Sequence, residues 1–386
     1  MPSTPSRVEF IALLAMLFAT IAFSIDAMLP ALPEIGKEMT PDDPNRVQLV
    51  ITSFVLGMGI GTLFTGPLSD TFGRKPVILG GALLYIAMSL VAAQEDSLEL
   101  LLVARLFQGL GAAGPRVVAL AIVRDLFSGR GMARIMSFVM TVFTLFPAIA
   151  PSLGALIIDM SSWRGIFWAF VAFATVSTTW LMVRLPETLP KENRRPFSVK
   201  TLWGSVKEIV AHPVVRISIA VQALVFAMLF TMISTVQQIY DVAFDRGDSF
   251  PLWFAGVALL ASTASVLNAT LVMRVGMRFL ITTMLAVQVV MSLAAILVFA
   301  SDLGGTITFV AFLIWQLSVF FQMGLTVGNV NAIAMEPMVL AVIIAVPTGL
   351  MFDGTPLPLA TGVFIEAALA LFLMRRLSRI ESAQTA

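Results

Sequence analysis

The chain is patterned in long apolar blocks rather than in alternating or amphipathic stretches. A helix crossing the roughly 30 Å hydrocarbon core of a bilayer needs about 20 apolar residues. Blocks of this kind lie at residues 10–29, 47–68, 77–93, 98–123, 135–158 and 166–183, and, past a polar stretch, at 214–239, 252–273, 279–299, 307–330, 339–352 and 357–374. Backbone N–H and C=O groups in lipid must find partners within the protein. No alternating pattern is present that would close a barrel, so every block is predicted to be a helix. The first block follows a short polar start carrying Arg7. It is long for a secretory leader, lacks a small-x-small cleavage site and is interrupted near its end by Asp26, which marks it as the first span. The pattern predicts an all-α membrane protein with twelve transmembrane helices.

Charges in the connecting loops alternate. One set carries Arg7, then Arg74 and Lys75, then Arg124, Arg130 and Arg134, then the bases of 191–207, then Arg274 and Arg278, then Arg375, Arg376 and Arg379. The other set carries Glu34, Asp42 and Asp43, then Glu95 and Asp96, then Asp159, then Asp241, Asp245 and Asp248, then Asp302, then Asp353. The positive-inside rule puts both termini of this multi-pass chain in the cytoplasm, with an even number of crossings. The longest polar stretch, 187–212, is rich in Lys, Arg and Pro and reads as a cytoplasmic linker between two six-helix halves, 1–186 and 213–386. Gly73-Arg74-Lys75 after the second block is echoed by Gly276 and Arg278 after the eighth, as in a duplicated transporter.

Composition agrees with the blocks, at 58% hydrophobic and 12% charged residues against about 25% charged in soluble domains. A formal net charge of +1 gives nucleic acid no foothold, and the absence of cysteine excludes disulfides and thiolate metal sites. The lone histidine, His212, sits in the polar linker and reads as a loop residue. No nucleophile-base set, metal cluster or phosphate loop is found, so the chain is not expected to be an enzyme or to need a cofactor.

Ionisable side chains inside a span cost several kcal/mol unless paired or hydrated, which singles out Asp26, Arg105, Arg116 and Glu366. Asp26 lies about 5 Å from the end of the first block and Arg105 about 10 Å into the fourth, counted from the same side of the membrane. The shared depth predicts that the guanidinium meets the carboxylate, either as a proton-exchanging pair or as a structural ion pair locking helix one to helix four. Glu366, mid-span in the twelfth block, is an alternative protonation site. Arg116 lies about 27 Å along the fourth block and is expected to snorkel to the cytoplasmic face. Gln222, Gln316 and Gln322 are the polar residues of the second half proposed to line a substrate cavity, with Gln237, Gln238 and Gln288 as further candidates.

Several motifs carry a family resemblance. Gly66-Pro-Leu-Ser-Asp70-Thr-Phe-Gly73-Arg74-Lys75, between the second and third blocks, resembles the signature cytoplasmic loop of the major facilitator superfamily, with Thr71 departing from a position often basic. Arg105-Leu-Phe-Gln108-Gly109-Leu-Gly111 resembles the superfamily's fourth-helix motif. Gly109 to Gly114 also spells G-x-G-x-x-G, but inside an apolar span with no preceding strand it fails as a dinucleotide site, and its small residues favour close helix approach. Asp26 with Pro30 and Pro33 resembles the first-helix motif of drug:proton antiporters. Pro147 and Pro151-Ser-Leu-Gly154 resemble the Gly-Pro antiporter motif loosely, with Ala150 in place of the usual glycine. Leu185-Pro-Glu-Thr188 and Gly328-Asn-Val-Asn331-Ala-Ile-Ala-Met-Glu336-Pro337 resemble the bicyclomycin-resistance subfamily.

The resemblance implies the major facilitator fold and proton-coupled efflux of small lipophilic drugs or metabolites by alternating access. It implies a monomer in the lipid bilayer that handles a small-molecule substrate and protons, with no cofactor, metal or nucleic acid. A proton-coupled metabolite importer or facilitator is the nearest alternative, and a channel or receptor with a transporter-like fold the more distant one. Abundant Phe and Met hint at a repackable binding surface. Chains of the subfamily carry a small-residue stretch where Met338 here runs directly into Val339. The eleventh block supplies about 14 residues, or about 21 Å of helix, so helix eleven is expected to be truncated and either short and displaced or broken at Met338. The family's latch between the Asp70 loop and that helix would then lose its partner.

Overall fold

The computed structural model of the chain describes residues 5–198, 200, 203, 204, 207, 211–301, 303–331 and 337–385. Asp302, Glu336 and part of the 187–212 stretch lie outside the described residues. The helices are α1 (Arg7–Asp26), α2 (Leu49–Phe72), α3 (Arg74–Ala92), α4 (Leu98–Leu126), α5 (Gly129–Met160), α6 (Trp163–Arg184), α7 (Pro213–Gln238), α8 (Phe250–Val275), α9 (Met277–Phe299), α10 (Gly305–Asn331), α11 (Met338–Leu350) and α12 (Leu357–Thr385). Each matches one apolar block, with ends that differ from it by up to six residues, except that α12 runs 11 residues further. Among the described residues, ten helices are long and apolar enough to span, and Leu145–Met160 and Met338–Leu350 are shorter apolar pieces.

Local chemistry sets the ends. Ser6 caps α1 by accepting from Glu9 N at 3.2 Å. Pro30, which lacks an N–H, follows the end of α1 and sits in a 3-10 turn, Leu29–Ala31, that leads into a short helix, Leu32–Met39. Gly73 joins α2 to α3 at φ +102° and Gly276 joins α8 to α9 at φ +82°, both in the left-handed region. The duplicated Gly-basic sequence thus makes the same turn twice.

The chain divides into two compact units, Met1–Leu202 and Trp203–Ala386. In the first, α4 packs along α2 and α3, α1 along α5 and α6, and α3 against α6. In the second, α10 packs along α8 and α9, α7 along α11 and α12, and α9 against α12. Each of these pairings of the first unit recurs six helices later. The first unit's core gathers Phe10, Leu14, Ile78, Val118, Ile122 and Leu181. Its outer faces expose residues such as Leu83, Val103 and Trp168, an apolar exterior suited to lipid rather than water.

The eleventh helix is short, as its block predicts. It is unbroken across Met338–Val339 and ends at Leu350, 13 residues or about 20 Å of helix.

Candidate functional site

A glycine seam lets the membrane-embedded arginine reach its neighbours. A Cβ on Gly57 would stand 1.8 Å from Leu106 O, and one on Gly109 1.9 Å from Phe54 O, so α2 and α4 touch backbone to backbone. Gly111 and Gly81 make the same kind of approach between α4 and α3, at 2.5 and 2.6 Å from each other's carbonyl oxygen. The small residues at 109–114 serve helix packing.

Arg105 is fully buried beside this seam. Its Nε donates to Val50 O at 3.0 Å, Nη1 to Gln108 Oε1 at 2.6 Å, and Nη2 to Ser24 O at 3.0 Å. The guanidinium stacks on Phe54 at 4.5 Å from the ring centroid. Ser24 belongs to the last turn of α1, where carbonyls run out of intrahelical donors, and a cation there also complements the helix dipole. Arg105 therefore ties the end of α1 to α2 through α4. The network continues from Gln108 Nε2 to Ser89 Oγ at 2.6 Å, and Ser24 Oγ shares a 2.6 Å hydrogen bond with Tyr85 Oη.

Asp26 lies two residues beyond Ser24 and is 4% exposed. It has no hydrogen-bond or ion-pair partner among the described residues. The expected Asp26–Arg105 ion pair is not formed, because the α1 carbonyl rather than the carboxylate faces the guanidinium. Equal depth fixed the level of the two residues but not the direction in which each side chain leaves its helix.

The α2–α3 turn carries a second polar cluster. Arg74 donates to Asp125 on α4 (Nε to Oδ2, 2.9 Å) and to Asp70 (Nη1 to Oδ1, 2.6 Å), joining the ends of α2, α3 and α4. Glu187 accepts from Arg74 N at 2.9 Å and Lys75 N at 3.0 Å, capping the start of α3 from 113 and 112 residues away. A side chain on Gly73 would meet Arg194 and Glu187 within 2.8 Å. Lys75 Nζ donates to Met182 O at 2.8 Å. Arg195 N donates to Asp70 O at 3.0 Å, so the front of the linker folds onto the first unit. Gly66, by contrast, has only Val117 Cγ1 at 4.0 Å from its Cβ position.

The second unit holds its own polar interior. Gln222, Gln316 and Gln322 are all buried. Gln316 Oε1 accepts from Tyr240 Oη at 2.8 Å, and Gln322 Nε2 donates to Thr326 Oγ1 at 3.1 Å. None of the three lines the open groove of about 790 Å³ between α8 and α10, whose walls include Arg246, Trp253, Leu260 and Ile314. Glu366 on α12 is 3% exposed and accepts from Thr231 Oγ1 on α7 at 3.1 Å.

Residues 12–343 match the sequence profile of the Major Facilitator Superfamily. The chain belongs to that superfamily. Within it, the chain is 31% identical over 303 residues to the bicyclomycin resistance protein homolog of Haemophilus influenzae, covering 76% of this chain and 74% of that protein. It is 30% identical over 283 residues to the multidrug resistance protein MdtL of Shewanella oneidensis, covering 73% of this chain and 69% of that one. The partially occluded, inward-open structure of the xylose transporter XylE from E. coli shares the fold at a TM-score of 0.73 and 13% identity, over 96% of this chain and 98% of that one. The chain is thus a multi-pass membrane protein of a transporter superfamily.

Several members of these networks escaped the sequence reading. Ser24, Tyr85, Ser89, Asp125 and Thr231 are unremarkable in isolation. Ser24 stands four residues after Thr20 on α1, a spacing that puts both on one face of the helix. Glu187 lies inside the Leu185-Pro-Glu-Thr188 motif, but its role as a cap for α3 depends on a long-range fold contact.

Proposed function

We propose that the chain exports small lipophilic compounds in exchange for protons, with Asp26 taking up a proton in one access state and releasing it in the other. The observation that carries this reading is Asp26 itself, a carboxyl 4% exposed at the end of a spanning helix with no cationic partner among the described residues. A carboxyl in that setting costs several kcal/mol and is retained for function. Arg105 acts as a positioning residue: by holding Ser24 O it fixes the turn that carries Asp26. The drug-resistance names of the two relatives support a drug-like substrate. The chain works as a monomer in the bacterial cytoplasmic membrane, with both termini and the polar stretch at 187–212 on the cytoplasmic side and a six-helix half on either side of that stretch.

The test is bicyclomycin resistance in an efflux-deficient host, together with pH-gradient-driven bicyclomycin efflux in everted vesicles, for the intact chain and Asp26→Asn. Resistance and efflux from the intact chain, lost in an Asp26→Asn protein that still inserts, is the expected result. Undiminished gradient-driven efflux by Asp26→Asn removes Asp26 from the mechanism.

A further inference from the structure

The second unit contains a carboxyl for which this scheme has no use. Glu366 lies mid-way along the apolar part of α12 and is 3% exposed. Oε1 accepts one hydrogen bond, from Thr231 Oγ1 at 3.1 Å, and Oε2 is buried without a hydrogen-bond partner. The helices packed on α12 are α7, α9 and α11. Their charged residues are Arg216, near the start of α7, and Arg278, at the start of α9, while α11 has none. Arg216 is about 22 Å from Thr231 along α7. On α12 the nearest base, Arg375, is about 14 Å away by helical rise. No cation faces Glu366 from any of these elements.

Its partner lies at the head of a polar face. Thr231, Ser234, Thr235 and Gln238 follow the i, i+3, i+4, i+7 spacing that keeps residues on one side of a helix. The row leads to Asp241, about 15 Å along the axis, where the loop also carries Asp245 and Asp248. In the other direction, eight successive apolar residues, 223–230, separate Thr231 from Gln222. Along α7, polar side chains therefore lead from Glu366 toward the acidic loop. A hydroxyl both donates and accepts, so Thr231 serves either form of the acid: it donates to the carboxylate and accepts from the carboxylic O–H. Glu366 has no second side-chain ligand that would hold a metal ion, and among the described residues no cluster of three His, Cys, Asp or Glu is present.

We propose that Glu366 is a second proton-binding site, loaded along the polar face of α7 from the acidic-loop end, so that each cycle moves two protons rather than one. The proposal rests on the proton-coupled reading above. Its consequence is a steeper dependence of transport on the pH gradient than Asp26 alone supplies.

Two measurements test it separately from that reading. Infrared pH-difference spectra of the purified protein in nanodiscs need no substrate, because they follow the carbonyl band of protonated carboxyls directly. The intact protein should show a buried-carboxyl band that disappears in Glu366→Gln and survives in Asp26→Asn. Thr231→Val should displace that band and Thr231→Ser should leave it in place, which a merely structural threonine would not do. Spectra unchanged by Glu366→Gln overturn the site even if transport is proton-driven. In proteoliposomes, the logarithm of the steady-state bicyclomycin concentration ratio plotted against the imposed pH difference should have its slope about halved in Glu366→Gln, as the number of linked protons falls from two to one. An unchanged slope overturns the two-proton cycle. Absence of any gradient-driven transport by the intact chain defeats the export reading and the two-proton cycle together, and leaves the infrared band to decide whether Glu366 binds a proton.

Discussion

Arg105 makes three hydrogen bonds, to two backbone carbonyls and one amide oxygen, and stacks on Phe54. Its planar fork reaches α1 and α2 together, which a lysine ammonium on a flexible stem does not reproduce. Arg105→Lys is expected to lose at least one buried, charge-assisted bond and to destabilise the first unit by about 1.5–3 kcal/mol. A lower melting temperature in detergent and reduced gradient-driven efflux would register this, and unchanged melting would show that the bonds to α1 and α2 are dispensable. Tyr85→Phe removes one hydroxyl from Ser24, which retains Thr20 O at 2.6 Å, so a smaller loss of about 0.5–1.5 kcal/mol is expected in the same melt. The sequence made Asp26 and Arg105 stand out because charge in an apolar run is costly. It did not reveal the Val50 and Ser24 carbonyls that hold Arg105, since backbone carbonyls carry no sequence signature.

At the scale of helices, apolar runs located every span because lipid leaves the backbone no alternative to the helix. What they missed is short and amphipathic: the helix Leu32–Met39 lies beyond Pro30 and buries Leu32, Ile35 and Gly36 while exposing Lys37. The glycine pattern foretold close packing, and the structure separates glycines that are needed for it from one that is not. Gly109→Ala and Gly57→Ala must push α2 and α4 apart, at an expected cost of about 1–3 kcal/mol or more. Gly66→Ala meets only ordinary contact at 4.0 Å and lies within helix α2, so it should be neutral or slightly stabilising despite its place in the signature loop. Melting of the three variants side by side tests the distinction, and equal destabilisation would refute it. The capping of α3 by Glu187 was illegible in the sequence, since 113 residues separate donor and acceptor. Glu187→Gln weakens a charged cap at a helix N-terminus, and faster proteolysis of the 187–195 stretch is the expected sign.

For the molecule as a whole, the clearest regularity is that the helix pairings of the first unit repeat six helices later, with a left-handed glycine, Gly73 or Gly276, at the matching turn in each. The sequence echo at these glycines was short, yet it marked a repeat that the packing carries throughout. Reporter fusions at Glu95 and Asp245 are expected to read outside and at Lys191 inside, and a periplasmic signal from Lys191 would break the two-half scheme. One member of the repeat is incomplete. α11 fills the position that α5 fills in the first unit, packing against α7 as α5 packs against α1. Yet it has 13 residues where α5 has 32. At 1.5 Å per residue it falls about 10 Å short of the hydrocarbon core, a gap of roughly two helical turns. A helix that short spans only by thinning the bilayer or drawing polar ends inward, each at a modest cost per ångström. Inserting two turns of small apolar residues between Met338 and Val339 should relieve that mismatch, raising the melting temperature and gradient-driven efflux together. If the lengthened chain melts and transports no better than the chain as it stands, the short helix is an adapted feature of this protein rather than a loss.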